Sequence, residues 1–217
     1  METVLSDEWL EAPVDARTMA TLRYLEVLTR DPLSVDEGVV RDAVDAGANP
    51  GALEQATLMA FLFAYMNRMV DAFGADVSPE QAERLGQFLE RAGSGVELVT
   101  RVRPWERPGG ALPESVIAQL ALVRGDEGDS PRDLRIAIEA DVARRSGGSR
   151  DQPSELPDAV RRLVDVLAED AHGVTDTHID DLRPDWSEEA IYEFIFVASF
   201  AAAAGRLERS WTLLAAV

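Results

Sequence analysis

The stretch Ala52–Phe73, ALEQATLMAFLFAYMNRMVDAF, decides the fold. It reads as one helix of about six turns. Leu58 to Met66 is apolar on every face, and a helix apolar all round is expected to be buried all round. Its polar residues sit at the ends: Glu54, Gln55 and Thr57 at the start, Asn67, Arg68 and Asp71 at the finish. Asn49 is placed to cap it, Pro50 suits the first helical position and Gly74 suits the stop. The expectation is the central core helix of an all-α domain.

Outward from this helix the pattern stays helical. Asp15 caps a helix over 16–30 with apolar Met19, Leu22, Leu25, Val27 and Leu28 at helical spacing. Asp31-Pro32-Leu33-Ser34 breaks it. Asp36 caps a short helix to Ala46, with Val35 and Val40 as a hydrophobic staple. Ser78-Pro79-Glu80-Gln81 is a capping box for a helix ending near Gly93. Further helices are expected over 113–124 and, after Ser130-Pro131, to Arg145. GDEGD reads as a solvated loop, SGGSRDQPSE as a mobile connector, and Arg144, Arg145 and Arg150 as a solvated basic run. Trp9 and Leu10 are expected to dock on the core.

The last third repeats the first. Leu28 to Val35 aligns with Leu167 to Val174, and Asp36 with Thr175. With one residue dropped, Asn49 aligns with Ser187, and Ala52, Ala60, Ala64 and Arg68 align with Ala190, Ala198, Ala202 and Arg206. Two similar halves about a pseudo-twofold axis are expected: a first helical repeat over 1–92, a connector over 93–111 and a second repeat over 112–217.

Residues 22–74, including Asn67-Arg68 and Gly74, resemble the carboxymuconolactone decarboxylase and alkylhydroperoxidase D superfamily, and 156–214 resemble the same unit more loosely. The resemblance implies an all-helical fold and homo-oligomers. Peroxidase members carry a Cys-x-x-Cys pair with a nearby Glu and His. This chain has no Cys, so no thiolate can attack a peroxide and no family catalytic residue carries over.

Composition narrows the chemistry further. The 217 residues carry a formal net charge of -19, which argues against nucleic acid and anionic membrane surfaces as partners. All 21 basic residues are Arg, which removes Schiff-base lysines and the phosphate-loop lysine. Only His172 and His178 are available as imidazoles, so no metal and no cofactor is expected. METVLSDEWLEAP has no apolar leader, and the longest apolar run, Phe194–Ala204, is short for a membrane span, so a cytoplasmic location is expected.

Candidate site residues are few. Arg68 and Arg206 could clamp a carboxylate ligand, or could serve the scaffold by pairing with acids such as Asp71 or Glu193 or by bonding last-turn carbonyls. Glu193 interrupts the apolar run IYEFIF; burial would raise its pKa and suit it to acid catalysis, or it could pair with an Arg. His178, on a first helical turn, should stay neutral and could act as a base. The expected function is a redox-inactive, cysteine-less relative of the peroxidases, acting through assembly with itself or a protein partner or through small-molecule binding. The alternative is an enzyme using carboxylate or His acid-base chemistry on a small acidic substrate. The apolar tail TLLAAV is a further reason to expect a homo-oligomer.

Overall fold

Asp15 accepts the Thr18 amide at 2.7 Å and starts α1, Ala16–Arg30. The computed structural model describes residues 9–74, 114–151 and 155–216. Among them, every regular element is helical. After α1 come α2 (Glu37–Asp45), α3 (Pro50–Ala72), α4 (Glu114–Arg124), α5 (Arg132–Arg145), α6 (Asp158–Glu169), α7 (Asp176–Asp180) and α8 (Glu188–Leu214). Short 3-10 turns fill Trp9–Glu11, Pro32–Ser34 and Ala171–Gly173. The capping box at 78–81, its helix and the 93–111 connector lie outside the described residues.

Caps place the long helices. Asp36 accepts the Val39 amide at 2.9 Å, Asn49 the Gly51 amide at 2.8 Å and Ser187 the Ala190 amide at 3.1 Å. Each satisfies an amide that the first helical turn leaves without a partner. Val35 and Val40, the expected staple, are both fully buried.

The central core helix is α8, not α3. From Phe194 to Leu207 every residue but Phe196 is buried. On α3 only Leu53, Thr57 and Ala72 are, while Leu62, Phe63, Met66 and Val70 face outward. The difference is side-chain size. Ala201–Ala204 and Gly205 let neighbouring helices approach α8 closely on several sides. A Cβ added at Gly205 would lie 2.5 Å from the Ala143 carbonyl of α5, so only glycine fits there. The bulky side chains of α3 admit no such approach on their outer side. Its inner side meets α8 through edge-to-face pairs, Phe61–Phe200 at 6.0 Å and Tyr65–Phe196 at 5.9 Å.

One continuous core joins α1, α2, α3, α5, α6 and α8. Inside it Tyr24, Thr57 and Ser210 form a closed triangle of hydroxyls, with Tyr24–Thr57 at 3.0 Å and Thr57–Ser210 at 2.9 Å. α8 is long and apolar enough, by length and composition, to cross a membrane, but 83% of that window is buried inside the protein. The described part of the tail is partly exposed: Leu214 is buried, while Thr212, Ala215 and Ala216 are exposed. Leu10 stays half exposed and does not dock.

Candidate functional site

α1 and α6 end alike. The Asp31 amide closes on the Val27 carbonyl at 2.8 Å, and the Asp170 amide on the Val166 carbonyl at 2.8 Å. Asp31 has φ -141° and ψ 75°, and Asp170 has φ -147° and ψ 82°. Each cap leads into a 3-10 turn, at Pro32–Ser34 and Ala171–Gly173. Such helix ends leave carbonyls without intrahelical donors and carry partial negative charge.

Arg68 and Arg206 supply the donors, each to the other half of the chain. Arg68 donates Nε to the Leu167 carbonyl of α6 at 3.1 Å and Nη1 to its own Ala64 carbonyl at 3.0 Å. Arg206 donates Nη2 to the Thr29 carbonyl of α1 at 3.4 Å and Nη1 to its own Ala202 carbonyl at 2.8 Å. Ser146 Oγ accepts a further bond from Arg206 at 3.2 Å. Arg206 is 92% buried on an 8% relative exposure, and its Nε has no partner.

Both arginines line one cavity of about 700 Å³, walled by the ends of α1, α3, α5 and α6 and by the Ala171–Gly173 turn. Among the described residues neither forms an ion pair, although Asp31, Asp71, Glu169 and Asp170 line the same cavity. His172 stands at the rim, 92% exposed, with Nδ1 3.8 Å from Asp71. Burial, and then the nearby Arg68 charge, push the Arg206 guanidinium down to about 10. Burial also lowers Arg68, with Asp71 acting in the opposite sense. At neutral pH Arg206 therefore remains a cation, held close to a like charge in a partly dry site.

The other buried arginine of the described chain, Arg135, and the half-buried Arg145 and Arg150 are matched by carboxylates, whereas the half-buried Arg209 donates to the Val35 carbonyl. Arg150 bonds Glu139 at 2.6 Å and Glu208 at 2.6 and 2.7 Å. Arg124 also reaches the buried Glu139, at 3.0 Å. Arg145 pairs with Asp141 and Asp165, and Arg135 with Glu193. Of the expected solvated basic run Arg144 is exposed, while the half-buried Arg145 and Arg150 form ion pairs, and Arg150 pins residues 146–151 against α8.

Glu193 is engaged elsewhere in the fold. It accepts the amides of Asp129 and Ser130 at 2.9 Å, the Ser130 hydroxyl, and Arg135 at 3.4 Å. Arg135 also donates to the carbonyls of Val123, Gly125, Glu127 and Ser130. GDEGD is solvated as expected, with residues 126–129 exposed, while its backbone carbonyls are pinned by the buried Arg135. Burial pushes the Glu193 carboxyl up, but its hydrogen bonds and Arg135 outweigh that and hold it below the ordinary value, against the expected raise. His178 Nδ1 accepts the Thr175 amide at 3.1 Å, which closes the first turn of α7. Neither Glu193 nor His178 lines the cavity.

Comparison with known proteins gives no match: no family model, no curated protein and no solved structure is similar to this chain. Among the described residues no group of three or more acidic or His side chains could hold a metal ion.

Proposed function

We propose that this chain is a redox-inactive, cysteine-less relative of the carboxymuconolactone decarboxylase and alkylhydroperoxidase D superfamily that binds a small organic anion between its two helical repeats. One observation carries the binding: Arg68 and Arg206 converge on a cavity with no carboxylate bonded to either among the described residues, in a chain with 40 acidic residues against 21 basic ones. A buried cation without a counter-ion is costly, and an anion in the cavity offsets that cost. The spare Nε–H of Arg206 is a donor awaiting an acceptor. A carboxylate fits the planar donor edge of a guanidinium. The repeat is supported by the matching helix ends at Asp31 and Asp170, and by the exchanged bonds of Arg68 and Arg206.

The test is thermal unfolding in a panel of small mono- and dicarboxylates, phosphate and chloride at fixed ionic strength. A ligand at a hundred times its Kd stabilises by about 2.7 kcal/mol. For a domain of this size that is roughly 5–10 °C. A carboxylate should raise the midpoint where chloride does not, and Arg206→Gln should abolish the rise. Equal response to all anions, or a response that survives Arg206→Gln, rejects the site. Thiol-dependent hydroperoxide reduction should stay at the blank rate, and turnover with metal removed would reject the redox-inactive part.

A further inference from the structure

We infer that the ligand of the arginine cavity is a zwitterion, an amino carboxylate whose carboxylate sits at Arg206 and whose ammonium group sits at Asp71 and Asp170. The inference rests on the carboxylate seat proposed above and assigns the other end of the ligand.

The cavity is unlike at its two ends. Arg206 reaches Thr29, so the end of α1 forms one of them, with Arg30 and Asp31. Arg68 reaches Leu167, so the end of α6 forms the other, with Glu169 and Asp170. Asp71, about one turn beyond Arg68 on α3, joins this second end. Two arginines and one acid therefore face one arginine and three acids. Arg145, also in the wall, is committed to Asp141 and Asp165. On the alignment of the two halves the charge is reversed at matched positions: Arg30 aligns with Glu169, and Asp71 with Arg209. The helix ends themselves match, so they do not account for the reversal.

Partners and burial give the direction. At the first end Arg30 bridges Glu26 at 3.1 Å, and Asp31 accepts the Ser34 hydroxyl at 2.5 Å. Arg206 is left buried with a spare Nε–H, and Arg68 is the one charge that acts on it. At the second end the acids are the groups to spare. Asp71 acts on Arg68 without forming an ion pair with it, and the Asp170 carboxylate has no partner among the described residues. Asp170 is exposed and Asp71 is 35% exposed. Positive charge thus lies deep and negative charge near solvent, so a ligand enters carboxylate first and leaves its ammonium group at the mouth.

Charge also excludes simpler anions. A dicarboxylate would set its second carboxylate against Asp71 and Asp170, in a chain already at -19. A plain monocarboxylate leaves the acids of the mouth without a cation. A zwitterion adds no net charge and meets the opposite sign at each end. Arg68 acts on Arg206 and is acted on by Asp71, so it stands between the two seats. The two charges of the ligand are therefore parted by a short chain, not carried on neighbouring atoms as in an α-amino acid.

The test is the concentration that gives a half-maximal rise in unfolding midpoint of the full chain, at fixed ionic strength. The probes are butyrate, γ-aminobutyrate, α-aminobutyrate and butylamine. γ-Aminobutyrate should act at about tenfold lower concentration than butyrate, the factor that one charge-assisted hydrogen bond supplies. α-Aminobutyrate should gain nothing over butyrate, and butylamine should not raise the midpoint. Asp71→Asn should weaken γ-aminobutyrate and tighten butyrate, because it removes the partner of the ammonium group and a charge that opposes the anion. A merely structural Asp71 would shift both ligands alike, which counts against the inference. Asp170→Asn repeats the test at an exposed position if Asp71→Asn fails to fold. Equal action of butyrate and γ-aminobutyrate overturns the inference and leaves the carboxylate seat standing, and so does a match by α-aminobutyrate. A response to butylamine alone, or to none of the four, overturns both.

Discussion

Arg68 and Arg206 cap each other's half of the molecule: one donates to Leu167 at the end of α6, the other to Thr29 at the end of α1. The exchange places two cations at one cavity, and the helix ends, rather than carboxylates, provide their compensation.

Arg206→Met and Arg150→Met should therefore differ. Arg206→Met loses charged hydrogen bonds worth about 1.5–3 kcal/mol each. It also removes a cation buried without an ion pair, so the net loss should fall below about 2 kcal/mol. Arg150→Met leaves Glu139, 1% exposed, with one arginine fewer and should cost about 3–5 kcal/mol. Urea midpoints at unchanged slope measure both. Equal losses would mean that Arg206 has a hidden counter-ion.

Gly205→Ala should destabilise by about 1–3 kcal/mol, because its Cβ meets a backbone carbonyl of α5 that cannot step aside. Thermal or urea unfolding reads this directly. Wild-type stability would mean that α5 and α8 sit further apart than described.

Glu193→Gln should remove a pH-dependent increment. The folded pKa of Glu193 is depressed, so its contribution is complete above the unfolded carboxyl value of about 4.3. It is lost as pH falls through the lower, folded value. The stability gap between wild type and Glu193→Gln should be widest at neutral pH and close in acid. A gap that persists in acid would assign the effect to shape alone.

Tyr24→Phe should cost about 1 kcal/mol, since Thr57 and Ser210 still bond each other at 2.9 Å. Burial raises the Tyr24 phenol, so its ultraviolet titration should begin above the ordinary value of about 10. Titration of all described tyrosines together at the ordinary value would contradict the closed triangle.

Much of the fold is legible locally. Asp15, Asp36, Asn49 and Ser187 cap where their side-chain chemistry suggests, and the break at Asp31–Ser34 falls in place. Which long helix is central is not legible from apolarity, because α3 and α8 are both rich in it. Side-chain volume decides: alanine and glycine permit neighbours on several sides, while phenylalanine and methionine keep them off. The GDEGD loop is legible as solvated, but what fixes its shape is not. Its partners, Glu193 and Arg135, are set by tertiary packing, and local charge carries no trace of them. Arg68 and Arg206 were visible as a matched pair, but a residue that occurs twice suggested two scaffold contacts. Both do bond helix-end carbonyls in that way, and their lining of one cavity is set by tertiary packing.

The hydroxyl triangle also has a consequence for synthesis. Tyr24 and Ser210 are 186 positions apart, so their bond cannot form until nearly all of this sequence has been made. Until then α1 and α3 can meet through Tyr24 and Thr57, but the buried hydroxyls lack their third member. The emerging chain must hold its first half open to α8, the element that fills the core, and it is exposed to chaperones and proteases for that interval. A ribosome stalled before Ser210 should carry a protease-sensitive nascent chain, however complete its first helices are.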